Sequence, residues 1–238
     1  MVGLACGATS YLTATSAGRL TTEGLSWLIA AFLGAGATTS ALTSSNPRWW
    51  RSYFSALGEK SDQASLGFNL TLVVTGLALT TLSGFLTADL TRWARHDGVA
   101  EWKVRVVRIA FGTLGIMVAC VGLVPVDVSF TVHNTVAYGL VAAFAVLVLA
   151  VVVLLGGLSR SFRLTTYVAL ALLAAAVVLH LVVGYYNTTA FQMVSVTTML
   201  AWLVLFVRAV AAAGVDHPVG PGPDEPQSES RALPHHAG

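Results

Sequence analysis

Six apolar runs leave this chain little choice of fold. They cover residues 24–44, 66–88, 109–126, 134–157, 164–186 and 190–212. Crossing ~30 Å of hydrocarbon takes ~20 residues of α-helix at about 1.5 Å each. Backbone N–H and C=O groups cannot stay unpaired in lipid, so a span is either a helix or a strand of a closed barrel. The residue alternation of a membrane barrel is absent. The expectation is an all-α polytopic membrane helix bundle with six transmembrane helices. The third run is short, so its ends sit near the interface or its helix extends past 109–126. Only 10% of the residues are charged, against about a quarter in soluble domains.

Lys and Arg divide unevenly between the two sides. Arg19, Arg92, Arg95, Lys103, Arg105, Arg108, Arg160, Arg163, Arg208 and Arg231 fall on one side, and Arg48, Arg51 and Lys60 on the other. The positive-inside rule then predicts both termini in the cytoplasm of a cell with these spans in its plasma membrane. Trp49, Trp50 and Tyr53 suit an outer aromatic belt, Trp93 and Trp102 an inner one. Net charge is only +2, which points to no nucleic-acid partner.

Three segments follow. Residues 1–23 read as a cytoplasmic or interfacial segment, with an extra span in 2–18 left open. Residues 24–213 form the six-helix domain. Residues 214–238, rich in proline and without apolar period, read as a disordered cytoplasmic tail. Its histidines, His217, His235 and His236, read as solvated. Cys6 and Cys120 carry no pairing signal, and Cys120 reads as a small core residue.

The second run carries Asn69, Gly76, Thr80, Ser83 and Thr87 on one helical stripe. The third carries Gly112, Gly115, Ala119 and Gly122 at spacings that let helices approach closely. Both stripes predict close packing inside the bundle.

The candidate reactive groups gather at the outer side. Pro125 and Asp127 end the third span, and His133 begins the fourth. His180 lies inside the fifth span, on a face shared with Gly184 and Asn187. A histidine at membrane depth needs a polar partner and is a functional candidate for that reason; a hydrogen bond to a neighbouring carbonyl is the plain alternative. For Asp127 the plain alternative is a helix cap. Asp127, His133 and His180 are the candidate catalytic set, expected to converge on one outer pocket. Asn69, Asp62, Tyr185, Asn187 and Gln192 are its candidate ligand-contacting residues. Cofactor and metal are left open.

The run Gly122-Leu123-Val124-Pro125-Val126-Asp127 followed by His133 resembles the signature of the bacterial family called domain of unknown function 998. Ser55-Ala56-Leu57-Gly58 and then Phe68-Asn69 resemble that family's Ser-Asp-x-Gly loop and following Phe-Asn. Ala56 stands where the family pattern has aspartate, and Glu59 and Asp62 are the nearest carboxylates. The loop is also similar to that of DRAM/Sfk-type six-span proteins. The resemblance covers roughly residues 45–160. It implies six helices and a polar outer pocket, and no established reaction. The DRAM/Sfk likeness implies a link to membrane-lipid organisation.

Several functions fit these residues. The first is a non-enzymatic protein of envelope organisation whose outer pocket binds a lipid headgroup or a membrane-protein partner, with Arg48, Arg51 and Lys60 facing anionic headgroups. The second is an embedded enzyme acting on a lipid or isoprenoid, with an Asp/His acid–base pair or a metal held by Asp127, His133 and His180. The third is a haem or redox protein with His133 and His180 as axial ligands. A transporter is a fourth.

Overall fold

The computed structural model describes residues 21–59 and 62–215. These form six long helices and no strand. They are α1 (Thr22–Thr43), α2 (Gln63–His96), α3 (Glu101–Leu123), α4 (Phe130–Leu154), α5 (Arg160–Val177) and α6 (Thr188–Val215). All six runs are long and apolar enough to cross a membrane, and the protein is a multi-pass integral membrane protein. The segment 1–20, residues Lys60 and Ser61, and the tail from 216 lie outside the described residues. So do Arg19, Arg231, Cys6 and the three tail histidines. Thr22 and Glu23 already belong to α1, and Gly214 and Val215 to α6.

Local chemistry sets where these helices begin. Five of the six open on a side-chain cap. Thr21 accepts from Gly24 N, Asp62 from Ser65 N, Ser129 from Val132 N, Ser159 from Phe162 N and Asn187 from Ala190 N. Each oxygen satisfies a first-turn N–H that has no partner within its helix. Asp62 and Ser65 make a reciprocal capping box.

Three expectations need correction. The inner loop expected at 89–108 shrinks to residues 97–100, because α2 runs on to His96 and α3 starts at Glu101. Arg105 and Arg108 are exposed on α3 rather than on a loop; long basic side chains reach water while their helix stays in register. Trp93 is 2% exposed, so it packs in the core beside Gly157 and belongs to no aromatic belt. Asn69 lies in the second turn of α2, and Asp127 in the turn after α3.

Successive helices alternate in direction. The loops 44–62, 124–129 and 183–187 share one end, here termed upper. The tightest packing is α2 against α3. A Cβ on Gly76 would lie 2.4 Å from Gly115 O, and one on Gly122 would lie 2.6 Å from Asn69 O. The two small-residue stripes are therefore a helix–helix seam. α2 also packs on α1 and α6, α4 packs on α3, and α5 on α6. α4 and α6 have little backbone contact; side chains alone fill the seam between them.

Lower in the bundle sits an aromatic core. Trp202 stacks on Phe206 at 5.1 Å between centroids and meets Phe144 edge-on at 5.4 Å, and Phe111 stacks on Phe206 at 5.6 Å. Trp202 Nε1 donates to Thr166 Oγ1 at 3.1 Å. At the lower end Arg208 pairs with Glu23 at 3.3 Å, and Thr22 donates to Asp89, which also pairs with Arg92.

Candidate functional site

Between His133 and a floor of aromatic rings lies a cavity of about 150 Å³, lined by α2, α3, α4, α6, Leu33 of α1 and the loop residues Phe54 and Ser55. Its walls are almost wholly apolar, and none of its lining residues is a lysine, arginine, aspartate or glutamate. Tyr138 and Phe191, with ring centroids 6.3 Å apart, wall it on the α4–α6 seam. Tyr138 is 48% exposed, so this wall faces the surroundings of the bundle.

Ser55, Thr75, His133, Asn134, Tyr138, Gln192 and Ser195 bring polar groups to the lining, and three of their atoms stand apart. His133 Nε2, Thr75 Oγ1 and Ser195 Oγ are buried, line the cavity and have no hydrogen-bond partner. The residues are 2%, 1% and 1% exposed. Buried polar atoms are nearly always paired, so three orphans on one cavity, from three helices, call for an explanation. Thr75 is the more telling because its neighbours behave otherwise. The hydroxyls of Thr71, Thr80, Thr87 and Thr91 all donate back to the carbonyl four residues earlier on α2, the usual resting place of a helical threonine. A fourth orphan, Thr189 Oγ1, lies outside the cavity lining.

His133 is held by its other nitrogen. Nδ1 lies 2.8 Å from Val124 O. Pro125 O accepts from Val128 N and Ser129 N in the intervening turn, and this tight turn brings Val124 back over the first turn of α4. The Pro125–His133 stretch thus folds the ring into the cavity.

His180 is placed differently. Its helix ends in a π-turn over Val178–Val182, and Gly184 turns the chain with φ +69°. Gly184 and Asn187 therefore do not continue the face of His180. His180 Nδ1 lies 3.0 Å from Tyr186 O, and its ring stacks on Phe191 at 4.9 Å. It touches the back of a cavity wall and does not line the cavity.

Asp127 is exposed in the turn and bonds to neither histidine. Among the described residues no three His, Cys, Asp or Glu side chains are grouped to hold a metal ion. Asp127, His133 and His180 are therefore not grouped as expected: each ring's Nδ1 meets a backbone carbonyl, and His133 Nε2 is left without a partner. The carboxylate of Asp127 acts instead on Tyr53. Burial pushes the Tyr53 phenol up to about 12, reinforced by its hydrogen bond to Glu59 and the charges of Glu59 and Asp127.

The other sequence candidates divide by role. Gln192 lines the cavity and its Oε1 accepts from Phe54 N at 2.7 Å. Asn69 Nδ2 donates to Gly58 O at 2.9 Å, and Asn187 Nδ2 donates to Trp50 O at 2.9 Å. These three amides pin the 44–59 loop over the cavity as a lid. A Cβ on Gly58 would lie 2.3 Å from Asn69 Oδ1, so the loop glycine permits that contact. Asp62 caps α2 and accepts from Ser45 at 2.7 Å, which together with Ser65 holds its carboxyl below the usual range. Tyr185 is 77% exposed. The sequence reading missed Thr75 and Ser195, since nothing in a sequence separates an orphan hydroxyl from one bonded to its own helix.

Comparison with known proteins adds a family. No curated protein and no solved structure matches the chain, and no comparison links it to DRAM/Sfk-type proteins. One family model, described as "Protein of unknown function (DUF998)", matches residues 27–209. The match runs from α1 into α6, well beyond the stretch carrying the signature residues. A six-helix membrane bundle with the Pro125–Asp127–His133 turn at its upper end, this chain belongs to the DUF998 family.

Proposed function

We propose that the protein is a non-enzymatic binding protein of the cell membrane that holds part of a lipid-like amphiphile in the cavity beneath the 44–59 loop. The observation that carries this is the trio of buried, unpartnered atoms, His133 Nε2, Thr75 Oγ1 and Ser195 Oγ, on a largely apolar cavity. An apolar volume with a few convergent polar groups is the usual form of a small-molecule site. The seam between α4 and α6, with little backbone contact and an exposed Tyr138, gives an entry path from the bilayer.

The upper end is read as the outer face of the plasma membrane, with both termini cytoplasmic. The exposed arginines support this. Arg92, Arg95, Arg105, Arg108, Arg160 and Arg208 are all exposed near the lower end, and Arg95, Arg105 and Arg108 line a groove of about 520 Å³ between α2 and α3 there. Basic residues of this kind concentrate on the cytoplasmic side. In intact cells, with the native cysteines replaced, Ser129→Cys should react with an impermeant thiol reagent and Ala100→Cys should not. The opposite pattern reverses the orientation.

Binding itself is tested by plugging the cavity. Ala137 lines it on α4. Protein extracted directly into lipid nanodiscs should release a co-purified organic-soluble molecule detectable by mass spectrometry. Ala137→Phe should reduce its occupancy at least about tenfold, the scale of a filled site. Equal occupancy in both proteins would refute a role for the cavity.

A further inference from the structure

The chemistry of the three orphan atoms narrows the ligand class. The geometry points to a single-chain amphiphile ending in a neutral hydroxyl, a long-chain alcohol or phenol, whose O–H donates to His133 Nε2. This inference rests on the binding role proposed for the cavity.

The tautomer of His133 carries the argument. Val124 O, 2.8 Å from Nδ1, can only accept, so Nδ1 holds the proton. In the neutral ring Nε2 then offers a lone pair and no hydrogen. A group that meets it must donate. The hydroxyls of Thr75 and Ser195 rotate and serve as donor or acceptor, so they can complete the shell of a ligand oxygen without selecting it. Of the three orphans, His133 alone is fixed in role, and it selects for an O–H or N–H.

Charge and volume narrow the class further. The absence of lysine and arginine from the lining leaves an anionic phosphate or carboxylate without a counter-charge, so only neutral amide and hydroxyl donors would offset its lost hydration. Arg51 instead lies over the exposed Trp50 ring at 4.9 Å. A cavity of about 150 Å³ is the size that elsewhere holds one benzene ring. It has room for one narrow chain segment at a time. Tyr138, Phe191 and Phe68 supply flat apolar walls.

The probes are 1-dodecanol and its methyl ether. The ether keeps chain and oxygen but has no hydrogen to donate. Wild-type protein in nanodiscs is labelled with an alkyl diazirine analogue of dodecanol, the labelled peptides are mapped, and each probe competes. Labelling of α4 and α6 peptides near Ala137 and Ser195 is expected. Dodecanol should compete at least about tenfold better than the ether, as befits one hydrogen bond to a buried acceptor. In His133→Leu the two should compete within about twofold. If the probes compete equally in the wild type, the hydroxyl requirement is overturned while chain binding stands. If no cavity peptide is labelled, the binding role itself fails. If His133→Leu keeps the preference, His133 is not the acceptor. Should that variant fail to fold, the wild-type ratio decides the matter alone.

Discussion

Trp202 and His133 are buried to nearly the same degree, 1% and 2% exposed. Trp202 lies behind the cavity floor, against Phe111 and Phe144, which line it. Its ring is packed by Phe111, Phe144, Phe162 and Phe206, and its one N–H is satisfied by Thr166. His133 stands near the top with Nδ1 satisfied and Nε2 not. The floor meets every polar demand and leaves no volume. The cavity above it leaves both. A buried polar atom without a partner lowers stability by about 1–3 kcal/mol, so the cavity carries a cost that the aromatic core does not. The difference separates the part of the bundle that holds the fold from the part that the proposed binding role uses.

The sharpest way to break that contrast is to truncate on each side of it. Trp202→Ala removes the centre of the floor and should destabilise by about 3–5 kcal/mol, read as a large fall in melting temperature. His133→Leu removes both the bond to Val124 and the orphan Nε2. These effects oppose each other, and the net change should stay within about 1 kcal/mol. A His133 variant as unstable as the Trp202 variant would make the histidine a structural post.

The seam of α2 and α3 supports both regions at once. Gly76→Val places carbon where Gly115 O and Ala119 N already lie. Backbone cannot retreat as a flexible side chain can, so the cost should be on the order of 3 kcal/mol. Loss of both folding yield and ligand occupancy is expected. A fully folded Gly76→Val protein would show the two helices free to separate.

The lid offers a smaller test. Gln192→Ala frees Phe54 N and should cost about 1 kcal/mol. Amide exchange should quicken in residues 49–58 and stay unchanged around Trp202. Uniform change through the bundle would mean that the loop is not a separate unit.

The smallest effect is the pH response of Tyr53. Its folded value, pushed up to about 12, lies above the usual tyrosine value near 10. The fold favours the neutral phenol. That contribution is complete below about pH 10 and is lost as pH rises through about 12. Wild type and Tyr53→Phe should therefore differ most below pH 10 and converge above it, as followed by thermal melting. A difference that grows with pH would reverse the sign.

Much of this molecule was open to reading from residues alone, and the reason is solvent. In hydrocarbon every backbone group must be paired within the chain, so six apolar runs meant six helices before any packing was considered. The stripe of small and polar residues on α2 and the small-residue stripe on α3 likewise predicted a close seam, because a small side chain lets a neighbouring helix approach wherever it lies. The turn at Pro125 and the placement of His133 at the top of α4 followed from the same pattern. Helix limits were less open: Arg105 and Arg108 look like loop residues until their side chains are seen reaching out of a helix.

What only the tertiary structure decided is which polar groups are already satisfied. Asp127, His133 and His180 looked like one set because each needs a partner and all lie at one end. Val124 O and Tyr186 O each hold one ring nitrogen, and no sequence spacing encodes which carbonyl a turn brings near a ring. Asn69, Asn187 and Gln192 likewise proved to bind the loop backbone. Thr75 and Ser195 are the converse case. Each is an ordinary residue on an apolar helix, and only the cavity enclosed between the packed helices leaves its hydroxyl without a partner. Sequence determines which atoms carry hydrogen-bonding capacity; packing determines which of them is left with it.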